Sequence, residues 1–157
     1  MKEPWGQVKP WLYLASPGSV GRVRDLLPLS GLTFAAWMNG ETMGDSDAVF
    51  EQFWHGFQLP EYFGWNFPAL SDCLRDLRWL SADQYVLFIE KADQILRDEV
   101  EARSDFFGSL LRAGEKWGLL RGREDVERVK FLVVLECDER EVQGMREIIT
   151  NAVDSAC

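Results

Sequence analysis

Three apolar runs stand out from an otherwise mixed sequence: Leu32 to Met38 (LTFAAWM), Tyr85 to Glu90 (YVLFIE) and Val129 to Glu136 (VKFLVVLE). None alternates strictly, which is the pattern of strands buried on both faces of a parallel sheet. The stretches between them are long enough for helical crossovers. Between the first two, Phe50, Phe53, Trp54 and Phe57 recur at helical spacing, so Asp47 to Phe57 is predicted as a helix packed on the sheet. A bend at Leu59 to Gly64 ends it. A second helix starts near Asn66, which can cap it, with Pro68 in the first turn where a missing N–H costs little. Its apolar face is Phe67, Leu70, Leu74 and Leu77, and its outer face Pro68, Ser71, Asp72, Arg75, Asp76 and Trp79.

Further along, a helix is predicted from about Glu99 to Trp117, with Phe106, Phe107, Leu110 and Leu111 facing inward and Gly118 as its stop. After the third run, Asp138 and Glu141 stand at the spacing of a capping box, and Val142, Met145, Ile149 and Ala152 share one face of a terminal helix, about 139–154. In the first thirty residues WLYLAS reads as a strand and GRVRDLLPL as a short helix. The expected architecture is α/β: a three-stranded parallel sheet packed by helices. Residues 1–31 form an N-terminal extension packed on the domain, and residues 32–157 form the domain itself with its additional C-terminal helix.

Composition supports one folded unit. The 157 residues are 46% hydrophobic with seven Trp and ten Phe, enough to sustain a core and too apolar for disorder. The formal charge of −9, from 26 acidic against 17 basic residues, argues against nucleic-acid binding, because such a surface repels phosphate. It favours a basic partner, although acidity also serves solubility. Cys73, Cys137 and Cys157 are odd in number and widely spaced, which indicates neither a disulfide framework nor a zinc site, and no cofactor or metal is expected. The N-terminal MKEPWGQVKPWLYLAS lacks the apolar core of a signal peptide, and no run approaches the ~18 apolar residues of a membrane span. A cytoplasmic location with no membrane contact is expected.

Signals for catalysis are weak. In open parallel sheets ligands gather beyond the C-terminal strand ends, which here offer Asn39 and Glu41, Glu90 and Lys91, and Glu136 and Asp138. Carboxylates there could do acid–base work, but nothing marks a nucleophile or a positioned base. His55, the only histidine, lies off the apolar stripe of its helix. The stretch SPGSVGR has two glycines without the Lys-Ser/Thr ending of a phosphate loop. The chain is therefore read as a non-enzyme.

The concentrated signal is LPEYFGWNFPALSDCL, Leu59 to Leu74. Tyr62, Phe63 and Trp65 crowd a bend around Gly64, which is expected to supply an unusual backbone angle. Aromatics in a tight bend are either plugs into the core or anchors for a partner, and consecutive ones rarely all point inward. Asp72 lies one turn into the next helix, with Arg75 and Asp76 beyond it. As a solvated flank these would add only local ion pairs, each worth about 0.3–0.5 kcal/mol. Rigid aromatic anchors beside acidic side chains instead compose a binding surface for a basic site.

This stretch resembles the signature of the barstar family, intracellular inhibitors of the ribonuclease barnase. The first strand ends in MNGE, Met38 to Glu41, as in that family. The bend Leu59 to Gly64 carries Phe63 where the family has a second tyrosine. Beyond the bend, Asn66 and the run Ala69 to Leu74 match the family's pattern as well. The resemblance covers roughly residues 32–137. It implies a barstar-like fold and stoichiometric inhibition of a ribonuclease, in the manner of an immunity protein or antitoxin, with Asp72 replacing an RNA phosphate in the active site. The contact surface it implies comprises Tyr62, Trp65, Asn66, Pro68, Ser71, Asp72, Arg75, Asp76 and Glu115. The partner is a basic ribonuclease, secreted or toxin-type, and the free chain is expected to be monomeric. Pro68 and Ser71 stand where the family has an acid and a tryptophan, and a later acidic contact falls at Ala113, with Glu115 nearby. These departures suit a different target enzyme or a differently shaped contact, with Trp65 as the candidate for a compensating anchor. Two rival readings are an interaction domain of the same fold with a non-nuclease partner, and an enzyme using Glu41, Glu90 or Asp138.

Overall fold

The computed structural model describes residues 5–17, 31–119 and 130–156. Along the chain run β1 (Trp5–Lys9), β2 (Leu12–Ala15), β3 (Thr33–Asn39), α1 (Ser46–Gly56), α2 (Phe67–Leu74), β4 (Gln84–Glu90), α3 (Arg103–Leu119), β5 (Phe131–Glu136) and α4 (Glu139–Ala156). The strands form one sheet in the order β1-β2-β5-β4-β3. The β3–β4, β4–β5 and β2–β5 pairs are parallel, and β1 closes one edge antiparallel to β2.

The three predicted strands are all present, adjacent and parallel. The sheet nevertheless has five strands rather than three, because the WLYLAS segment supplies β2, and β1 pairs back onto it. Leu12 sits opposite Val133 and Ala15 opposite Glu136, which makes β2 a fourth parallel strand. The GRVRDLLPL segment lies outside the described residues.

Strand periodicity divides the core in two. One face carries Leu12, Leu14, Ala36, Met38, Tyr85, Leu87, Ile89, Phe131, Val133 and Leu135, and all four α-helices pack on it. The opposite face has a smaller buried set, Ala15, Val86, Phe88, Leu132 and Val134. Only β4 and β5 fit the expectation of burial on both sides. β3 is an edge strand that alternates, with Ala36 and Met38 buried and Trp37 61% exposed. Its hydrophobic run arises from two different uses: a core face, and an open face where the Trp37 ring lies 4.6 Å from that of Phe88.

Helix starts obey local chemistry. The Asp45 carboxylate accepts the Ala48 N–H at 2.9 Å to cap α1, and Asn66 Oδ1 accepts the Ala69 N–H at 2.8 Å to cap α2. The helix predicted from Glu99 begins as a short 3-10 turn, Val100–Ala102, and becomes α-helical at Arg103. Glu99 is occupied elsewhere, accepting both the backbone N–H and the hydroxyl of Ser46 at the start of α1. In α3 the missing side chain of Gly114 admits the Trp11 indole so closely that a Cβ there would overlap it. This contact joins the N-terminal segment to the helical layer. Among the described residues no helix is long and apolar enough to cross a membrane.

Candidate functional site

The bend between α1 and α2 sorts its aromatics by direction. Phe63 turns inward, 3% exposed, between Phe50 and Trp54, with centroid separations of 6.0 and 6.5 Å. Tyr62 turns outward, 71% exposed. Trp65 does both: one face packs on Trp54 at 5.3 Å and Phe63 at 5.4 Å, while 46% of the residue stays exposed. An indole packed this way on one face has little rotamer freedom left, so little side-chain entropy would remain to be lost in any contact.

The unusual backbone angle sits at Trp65, with φ 54°, and not at Gly64. Gly64 is needed for space: a Cβ there would come within 3.1 Å of Asn66 Nδ2. That amide donates to the Gly64 carbonyl at 3.1 Å while the Asn66 Oδ1 caps α2. One asparagine thus ties the bend to the helix and fixes Trp65 relative to everything α2 presents.

The exposed side of α2 carries Pro68 and Asp72, with Arg75 at the helix's C-terminal cap. The Asp72 side chain is 77% exposed, and its nearest cationic partner is Arg75 at 3.6 Å. Such an exposed i,i+3 pair is weakly held and leaves the carboxylate available to a stronger partner. Asp76 is half-buried and bonded at 2.8 Å to the Arg78 guanidinium.

Two residues expected on the outer face are not there. Ser71 is 3% exposed, and its hydroxyl accepts the Nε–H of Arg112 at 3.3 Å. Trp79 is half-buried, and its indole N–H donates to the Phe57 carbonyl at 2.9 Å. For Ser71 the reason is tertiary, because α2 packs against α3 as well as the core and its buried arc is wider than one apolar stripe, whereas Trp79 lies beyond the helix, which ends at Leu74. Ser109 Oγ donates to the Phe67 carbonyl at 3.2 Å, and the Trp117 indole N–H to the Leu74 carbonyl at 2.9 Å, fastening the two helices at both ends. Ala113 is fully buried. Glu115 is exposed, 4.0 Å from Lys9.

Arg112 is the residue that sequence reasoning missed. It lies 41 positions from Ser71 and meets the site only because α3 crosses α2. With Trp65, Asn66, Phe67, Pro68, Asp105, Ser46 and Phe50 it lines an open groove of about 440 Å³ beside the exposed face of α2.

The strand-end acids lie outside the groove. Glu41 is ion-paired with Lys91 at 2.6 Å, which holds its carboxyl below the usual range, and Arg97 donates to its backbone carbonyl at 2.7 Å. Asp138 pairs with Arg140 at 3.4 Å. Burial, then the neighbouring charge of Glu90, raises the Glu136 carboxyl above the usual range. Glu90 itself is exposed on the lip of a second open groove shared with Trp37, Asn39 and Phe88. His55 is exposed on α1. Cys73 and Cys137 are buried free thiols, and burial with surrounding acids pushes Cys137 up to about 11, so it stays protonated at neutral pH. Among the described residues no group of three or more His, Cys, Asp or Glu could hold a metal ion.

Fold and surface define a class: an open α/β domain that exposes acidic and aromatic side chains on one short helix and the bend before it. The chain belongs to the barstar family, whose model, described as Barstar (barnase inhibitor), matches residues 34–136. That span contains the bend, α2 and all of α3. Among curated proteins, none matches the sequence.

Proposed function

We propose that the protein is a stoichiometric inhibitor of a small basic ribonuclease, acting inside the producing cell as an immunity protein does. The observation that carries this reading is the Asp72 carboxylate, 77% exposed on a helix anchored at both ends, within the span shared with a family of ribonuclease inhibitors. A carboxylate delivered into a cleft of arginines and lysines forms charge-assisted hydrogen bonds that strengthen as water leaves. Tyr62 and Trp65 are the aromatic anchors beside it, and Asn66 holds them in register with the helix. Pro68 and Arg75 complete the rim. Ser71 contributes from beneath, through Arg112. Asp76 and Glu115 lend charge to the approach, each reduced by its own ion pair.

The test is capture from the source cell's cytosol and secreted fraction, with wild type against Asp72→Ala, and then an RNA-cleavage assay of the released protein. The expected result is a small basic ribonuclease retained by wild type and lost by Asp72→Ala, with the variant's melting temperature unchanged, since the side chain supports nothing in the fold. Unaltered inhibition by Asp72→Ala would remove this site. Capture of a non-nuclease through the same aspartate would keep the surface and replace the function with that of an interaction domain, a reading favoured by Pro68 on the face and Ser71 beneath it.

A further inference from the structure

The Arg112 guanidinium occupies an uncommon position for a cation on so acidic a chain. Its Nε–H is spent on the buried Ser71 hydroxyl, the residue next to Asp72. Its terminal nitrogens fold back along α3 over Gly108, where a Cβ would stand 3.5 Å from Nη1. Among the described residues no carboxylate lies within 4.0 Å of it. Asp105, two turns earlier on α3, shares the groove but not an ion pair with it, and it sits in the first turn, where the helix's own amide groups offset its charge. The groove therefore offers a positioned guanidinium with open N–H donors, walled by the Trp65 indole and Pro68.

A partner that covers Asp72 and Trp65 also covers this groove, because Trp65 and Pro68 belong to both. Covering it strips water from the guanidinium, and a cation left unpaired in a desolvated contact is costly. The partner therefore has to bring an acceptor. Guanidinium geometry, with parallel N–H donors, selects a carboxylate.

We propose that Arg112 is a specificity-determining contact: the groove receives an acidic side chain from the rim of the same basic cleft that Asp72 enters. This rests on the inhibitor reading above and adds to it the charge pattern of the target, a basic centre with an acid at its edge. A uniformly basic surface would meet Arg112 as a like charge and be disfavoured.

The experiment titrates the full-length chain and its variants into purified barnase and into each ribonuclease captured as above, reading RNA cleavage. Arg112→Gln should weaken inhibition about tenfold and Arg112→Glu about a hundredfold or more, as expected when a charge-assisted bond is lost and then replaced by repulsion. Arg112→Lys should retain part of the wild-type strength. Replacing the rim acid of the inhibited ribonuclease by its amide should abolish most of the difference between wild type and Arg112→Gln, which a purely structural role for Arg112 does not predict. Should Arg112→Glu not fold, Arg112→Gln decides. Inhibition by Arg112→Glu equal to wild type, with Asp72→Ala inactive, overturns this inference and leaves the inhibitor reading standing. Full inhibition by both variants, or no ribonuclease inhibited by wild type, overturns both.

Discussion

Trp65 and Ser71 show how much a single position can conceal. The sequence presents Trp65 as one aromatic in a row, and its dual role, half in the Trp54–Phe63 stack and half in solvent, comes from the left-handed backbone angle it adopts itself. The bend chemistry pointed to Gly64 as the carrier of that angle, yet the glycine is there to let the Asn66 amide approach. Glu136 gives a test of a different kind. Its carboxyl is raised above the usual range by burial and by Glu90, so the folded chain binds that proton more tightly than the unfolded chain. Stability from this group therefore falls as pH rises from the ordinary carboxylate value through the raised folded value, and the loss persists above it. Glu136→Gln should match wild type in melting temperature well below the carboxylate range, and exceed it increasingly as pH climbs toward neutrality. Thermal unfolding of both proteins across acid to neutral pH checks the sign.

Local signals placed helices well because their causes are local. Aromatic spacing marks α1, and Asn66 with Pro68 in the first turn marks α2. What escaped was which arc of a helix is buried, since a second neighbour is not written in the helix's own residues. Ser71 faces α3 and is enclosed, while Asp72, one residue on, stays exposed. The same reasoning makes Asn66→Ala informative: it removes the bond to Ala69 N–H and the tie to the Gly64 carbonyl together. The expected cost is about 1 kcal/mol of stability by denaturant unfolding. Inhibition should weaken beyond what that stability loss explains, because Trp65 and Asp72 then lose their common reference.

Charge acts through the molecule as a whole. With a net −9 and Asp72 exposed, encounter with a basic target of the kind proposed would be accelerated by the long-range field, which salt screens over about 8 Å at physiological ionic strength. Stopped-flow association with the captured ribonuclease should slow steeply as salt rises, while dissociation, governed by desolvated close contacts, should change little. A salt-insensitive association rate would mean the acidity serves solubility alone. The sheet, too, is a property of the whole. Three strands were legible as apolar runs, but β2 joins the sheet only through pairing with β5, about 120 residues away along the chain, and β1 joins it only through β2. Hydrophobic period, capping residues and the Leu59–Leu74 stretch are short-range features, and they were enough to give the α/β class, the helices and an exposed Asp72. The five-strand order, the burial of Ser71, the split orientation of Trp65 and the arrival of Arg112 at Ser71 depend on which distant segments pack together. Packing is the sum of many weak, non-directional contacts, so no short run of residues records it.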